Sequence, residues 1–154
     1  MPIILKKPEQ ILLMKEAGRI TGETLLVARD AIRPGISTKE LDSIIHAYIL
    51  KCGAKPSFLG YAGFPGSACI SVNDQIIHGI PSHRVILQEG DIVKVDVGAY
   101  INGFHGDAAA TFPVGEISKE ARMLMDVTRQ SFYEGIKYAK VGYRISDISH
   151  AIQA

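Results

Sequence analysis

Apolar and small positions along the first part of the chain recur at helical spacing. Ile11, Met14, Gly18, Thr21, Leu25, Ala28 and Ile32 fall at alternating steps of three and four, which predicts one long amphipathic helix over 8–32. Pro8 suits a first helical turn, and Pro34-Gly35 supplies the stop. Ser37 and Glu40 stand at capping-box spacing ahead of an apolar stripe made by Leu41, Ile44, Ile45, Tyr48 and Ile49. A second helix is therefore expected to run to about Cys52. Over 56–114 the pattern changes to short apolar runs broken by glycine, proline and Asn-Asp or Asn-Gly pairs, the signature of strands and turns. Segments 68–72 and 75–77 flank Asn73-Asp74 as one candidate hairpin, and 91–101 and 104–112 flank Asn102-Gly103 as a stronger one. Ala121, Leu124, Met125, Thr128, Phe132 and Ile136 then return to helical spacing.

An internal echo extends this pattern. Arg33, Gly35, Glu40, Leu41 and Ile45 match in kind Lys140, Gly142, Asp147, Ile148 and Ile152, each 107 residues later. In both places a helix ends at a basic residue and glycine, and an acidic and an aliphatic residue open the next helix. The echo predicts a duplicated fold of which the chain holds one copy and the opening of a second.

Composition narrows the classes. With 47% hydrophobic and 21% charged residues among 154, the chain has material for a real core, and disorder is not expected. Seventeen basic against 16 acidic side chains leave a formal charge of +1, and without a basic stripe no nucleic-acid binding is expected. No apolar run reaches the ~18 residues of a membrane span, and the start Met1-Pro2-Ile3-Ile4-Leu5-Lys6-Lys7 lacks signal-peptide order. The expected location is cytoplasmic, with Cys52 and Cys69 as reduced, buried thiols rather than a disulfide.

The stretch Asp91-Ile92-Val93-Lys94-Val95-Asp96-Val97 alternates cleanly, with the three valines on one face and Lys94 and Asp96 on the other. If Asn102-Gly103 forms a two-residue type I′ turn, Ile101 lies opposite Phe104 and Asp96 opposite Ala109. Asp107 then shares a face with Asp96 as a diagonal neighbour. A three-residue turn would send the two to opposite faces. Paired carboxylates in a fold need a compensating cation, a shared proton or ample solvent, so the pair is read either as a divalent-metal site or as two solvated side chains. His105 would share the face as a further candidate ligand. His78, after two aliphatics and before Gly79-Ile80-Pro81, is read either as a histidine bonded at a strand end or as one facing a cleft. No Gly-x-Ser-x-Gly elbow or phosphate loop is present, and Cys69 sits in an apolar strand rather than a basic pocket.

Several of these motifs occur together in one order: Leu59-Gly60-Tyr61 through Phe64-Pro65, Cys69-Ile70-Ser71-Val72-Asn73, His78-Gly79-Ile80-Pro81, Gly90-Asp91-Ile92-Val93 leading to Asp96, and Asn102-Gly103-Phe104-His105-Gly106-Asp107. This order resembles the type I methionine aminopeptidases over nearly the whole chain. The resemblance implies an α+β pita-bread fold, in which two related halves face each other across a metal site. It implies that Asp96 is a ligand to one metal, that Asp107 bridges two, and that His78 contacts substrate near the scissile amide. Tyr61, Phe64 and Cys69 fall where that family shapes its methionine pocket, Phe64 standing where tyrosine is common. Two divalent ions (Co, Mn, Fe or Zn) and the amino-terminal Met of nascent peptides are implied as cofactors and partner, and the Met1-Pro2 start would itself suit such an enzyme. The family's remaining ligands, one histidine and two glutamates, together with a second active-site histidine, belong to its second half. Residues 1–154 are thus expected to be an amino-terminal portion with an incomplete site, whose exposed half-fold face favours self-association. Other readings are a prolidase or aminopeptidase P relative, against which the His78-Gly79-Ile80-Pro81 context argues, and a non-catalytic pita-bread half used for binding.

Overall fold

Helix α1 spans Pro8–Ala31, with proline in its first turn, and helix α2 spans Thr38–Lys51. The computed structural model describes residues 4–154; the Met1-Pro2 start lies outside them. In α2 the capping box is complete. Ser37 Oγ accepts the Glu40 N–H at 3.1 Å, and Glu40 Oε2 accepts the Ser37 N–H at 2.9 Å, so two amides with no intrahelical partner are satisfied reciprocally. Leu41, Ile45 and Ile49 are fully buried.

The buried face of α1 matches the expected one at Thr21 and Ala28, with Leu25 and Ile32 packed against the core, and departs from it nearer the start of the helix. It is made by Ala17, Ile20, Thr21, Thr24 and Ala28, whereas Ile11 and Met14 are 44% and 37% exposed. Small residues dominate because the helix lies close to the sheet. A Cβ on Gly106 would fall 2.4 Å from the Ala17 carbonyl and from Thr21 Oγ1. The buried hydroxyls of Thr21 and Thr24 donate to Ala17 and Ile20 carbonyls one turn back, so they cost little.

The sheet has β1 (Lys55–Pro56), β2 (Ala68–Val72), β3 (Ile92–Ile101) and β4 (Phe104–Pro113), all antiparallel. β4 pairs with β3 along its whole length, while β1 and β2 pair with different stretches of it. At the β3–β4 turn Asn102 and Gly103 have φ of 53° and 84°, as a two-residue type I′ turn requires, and Ile101 faces Phe104. Val93, Val95, Val97 and Ala99 form the dry face and join Ile20, Ala28, Leu41, Ile45 and Ile49 in one core.

The candidate hairpin around Asn73-Asp74 is half right. The chain turns there, but 75–77 is not a strand. Asn73 is drawn instead to the start of β3: its N–H donates to the Ile92 carbonyl, its side-chain Oδ1 accepts the Ile92 N–H at 3.0 Å, and its Nδ2 donates to Asp91 Oδ1 at 2.8 Å.

The chain divides into two compact units, one ending at Glu116 and the other Ile117–Ala154. The second holds α3 (Lys119–Ile136), capped by Ser118, and α4 (Ile145–Gln153). These two pack where a Cβ on Gly135 would meet the Ile152 side chain at 2.6 Å. Leu124, Phe132 and Ile136 of the α3 stripe are exposed. The internal echo is visible in local geometry: Gly35 and Gly142 are both left-handed, with φ of 89° and 97°. The Arg144 N–H donates to Asp147 Oδ2 at 2.7 Å, reproducing the Ser37–Glu40 bond.

Candidate metal centre

Alternation leaves one face of the sheet without a covering helix stripe. On it lie Lys94, Asp96, Gly98 and Tyr100 of β3, His105, Asp107 and Ala109 of β4, and Cys69 and Ser71 of β2. The register places Cys69 and Ala109 on either side of Asp96, and Asp107 opposite Gly98. Asp96 and Asp107 are therefore diagonal neighbours on one face, as the two-residue turn demanded, with Cα atoms roughly 7–8 Å apart for such a pair.

This pair is electrostatically uncomfortable by itself. Asp96 Oδ1 is buried and has no hydrogen-bond partner. Burial, and then the charge of Asp107, hold the Asp96 carboxyl above its usual range, while the nearby His78 pulls it back down. The Cys69 thiol is pushed up to about 11 by burial and by both aspartates, so Cys69 is a neutral, apolar wall rather than a nucleophile. Both cysteines are free, Cys69 buried and Cys52 only half-buried.

The segment after β1 crosses this face at Gly98. Ser57 donates its N–H to the Gly98 carbonyl at 2.9 Å, and a Cβ on Gly98 would meet Ser57 and Phe58 at 2.8 and 2.9 Å. Ser57 Oγ pairs with His105 Nδ1 at 2.9 Å, and the imidazole lies 4.6 Å from the Tyr100 ring. His105 shares the face, yet among the described residues no group of three metal-binding side chains assembles. The chain then makes a tight turn, with Gly60, Ala62 and Gly63 all at positive φ. Here Tyr61 is 77% exposed and Phe64 is half-buried. Beyond Phe64 it is anchored by Asp42, which is 3% exposed. Asp42 Oδ1 accepts the N–H groups of Ser67 and Ala68 at 2.7 and 3.0 Å, and Oδ2 pairs with Lys39 at 2.8 Å. His78 sits in an exposed loop after β2 with φ of 59°.

Asp42 and Ser57 escape a reading by motif, since their partners lie 25 and 48 residues along the chain. For Asp42 one signal exists: an acid next to Leu41, on the inward side of the α2 stripe.

The profile of metallopeptidase family M24 matches residues 12–154. The chain belongs to this family. Within M24 it is similar to methionine aminopeptidase 1 of Bacillus subtilis (strain 168), at 54% identity over 98% of this chain and 60% of that protein. It also matches the crystal structure of methionine aminopeptidase from Rickettsia prowazekii, with a TM-score of 0.96 at 34% identity, covering 99% of this chain and 61% of that one. Prolidase from Pyrococcus furiosus aligns with a TM-score of 0.86 at 22% identity, which shows a shared fold. The fold is the α+β pita-bread fold, and this M24 chain spans about 60% of the length of the curated relatives it matches.

A metallopeptidase family implies a divalent ion. Two carboxylates, one with an orphaned buried oxygen, are hard donors suited to such an ion and supply part of a coordination sphere. Among the described residues no helix is long and apolar enough to cross a membrane.

Proposed function

We propose that this chain is the amino-terminal portion of a cytoplasmic methionine aminopeptidase, removing initiator Met from nascent proteins by hydrolysis of the first peptide bond. The observation that carries the reading is the register-fixed pair Asp96 and Asp107, with a buried carboxylate oxygen left unpartnered on the open face. Among the solved structures, methionine aminopeptidases share 34% and 39% identity with this chain against 22% for a prolidase, which favours this specificity over the prolidase or aminopeptidase P alternative.

Asp96 and Asp107 would hold the two divalent ions on this side of the site; cobalt, manganese, iron and zinc all accept such donors. Metal bound there would supply Lewis acidity to a water and to the scissile carbonyl. The chain's own residues do the rest. His78, on its loop beside Asp96, hydrogen-bonds the amide as charge develops. Cys69, neutral and buried, gives the pocket for the methionine side chain an apolar wall, which a thioether prefers, and Tyr61 and Phe64 close it from the turn. Phe64 has no hydroxyl and adds only apolar surface. Two protein ligands are too few for a tight site, so the remaining donors lie outside these residues.

The test is release of methionine from a Met-Ala-Ser peptide by the 154-residue chain with manganese or cobalt and an EDTA control, alongside manganese binding followed by EPR. Metal-dependent turnover abolished by Asp107→Asn supports a complete site, assembled across copies. Manganese binding lost in Asp107→Asn, without turnover, supports a partial one. Absence of manganese binding at millimolar ion refutes the metal role of the pair. The exposed apolar stripe of α3 and the open sheet face lead us to expect self-association; a clean monomer in concentrated size-exclusion runs counts against it.

A further inference from the structure

His78 is held by its backbone neighbour rather than by packing. Residues 74–78 are all exposed, and Ile76 and Ile77 bury little, so no core contact fixes the loop. Gly79, by contrast, is buried and pinned on both sides. Its N–H donates to Ser71 Oγ at 2.9 Å, and its carbonyl accepts the Ile70 N–H at 2.9 Å. A Cβ there would lie 2.1 Å from the Ile70 carbonyl, so only glycine brings the chain this close to β2. The residue before it, His78, has φ of 59°, a left-handed backbone that a side-chain-bearing residue keeps only when its surroundings impose it. Ser71 is itself 2% exposed and stands on the open face, directly opposite Lys94 and two residues from Cys69. Lys94 Nζ donates to the carbonyl of Asn73 at the other end of the loop. That end is also tied by the Asn73 bonds to Asp91 and Ile92.

We infer that Ser71 is the positioning residue for His78: its hydroxyl fixes the Gly79 amide, and with it the left-handed His78 backbone that carries the imidazole beside Asp96. The inference rests on the reading of His78 as the substrate-contacting histidine. Lys94 plays the weaker part, because Asn73 keeps three other bonds when the ammonium is removed.

The test is backbone amide relaxation by NMR on the metal-free 154-residue chain, comparing wild type with Ser71→Ala, Ser71→Thr and Lys94→Met. In wild type the His78 and Gly79 amides have order parameters of about 0.85, and in Ser71→Ala His78 falls below about 0.6 while β3 and β4 do not change. Ser71→Thr, which keeps the hydroxyl, restores order, and Lys94→Met loosens Asn73 far less than Ser71→Ala loosens His78. Should Ser71→Ala fail to fold, Ser71→Cys keeps the volume with a weak acceptor and is expected to loosen His78 in the same way. Unchanged His78 order in the folded Ser71 variant overturns the inference. Added manganese reads direction separately: it broadens the His78 ring signals in wild type and broadens them less in Ser71→Ala. If manganese broadens neither His78 nor the residues around Asp96, the metal reading of the face fails, while the order parameters still decide the role of Ser71.

Discussion

Replacing Asp96 by asparagine is expected to stabilise the metal-free chain at neutral pH. The substitution removes one of two like charges on a shared face and turns an orphaned buried oxygen into part of a neutral amide. Two unit charges roughly 7 Å apart repel by about 1–2 kcal/mol at effective dielectric constants of roughly 20–40. Leaving a buried acceptor unmatched costs about 1–3 kcal/mol, part of which the amide retains. A net gain of about 1–2 kcal/mol follows, measured as a shift in urea midpoint with EDTA present. The sign with pH is fixed by the raised carboxyl of Asp96. Because the folded state holds its proton more tightly than the unfolded chain, the ionised group costs stability above its folded pKa. That cost disappears as pH falls through the folded pKa toward the unfolded value of about 3.9. The advantage of Asp96→Asn is therefore present at pH 7 and absent near pH 3.5. Adding manganese reverses the ranking, since only a chain that binds the ion gains mass-action stability. A variant less stable than wild type at pH 7 in EDTA, or a gain that persists at pH 3.5, refutes the reasoning.

Gly106→Ala places a methyl 2.4 Å from backbone and hydroxyl oxygens of α1 and is expected to destabilise by about 1–3 kcal/mol, read from urea unfolding. Asp42→Ala leaves the Ser67 and Ala68 amides without their acceptor and should cost about 2–4 kcal/mol. Asp42→Asn, which keeps an oxygen for both, should cost distinctly less in the same assay. Thiol labelling at pH 8 should modify half-buried Cys52 well before Cys69, whose thiol is pushed up to about 11. The Asp96→Asn, Asp107→Asn double variant should speed Cys69 relative to Cys52, as followed by mass spectrometry.

What could be read without coordinates was whatever is encoded locally. The α2 cap needs only Ser37 and Glu40, and the carboxylate pair needs only the turn type at Asn102-Gly103, because strand alternation carries the register outward from there. Where two distant segments compete for a residue, local pattern fails. Asn73-Asp74 has the composition of a hairpin turn, but Asp91 and the Ile92 backbone capture Asn73, and 75–77 never pairs. The α1 stripe was right at Thr21 and Ala28 but started on Ile11 and Met14, which stay outside, because the sheet approaches so closely at Gly106 that Ala17 and Thr21 meet it. The Asp42 and Ser57 contacts join segments 25 and 48 residues apart that only the fold brings together, so motif spacing does not announce them.

The two-residue turn has a kinetic consequence. Asp96 and Asp107 lie in one hairpin, so like charges meet when β3 and β4 first zip, an event of roughly 1–10 μs, before α1 has any sheet to pack on. Their repulsion is then expected to oppose the zipping of the hairpin as well as to destabilise the finished protein. Salt, acid or a divalent cation should accordingly quicken the refolding arm of the chevron, and the substrate-free ion would act as a folding aid as well as a resident of the completed fold.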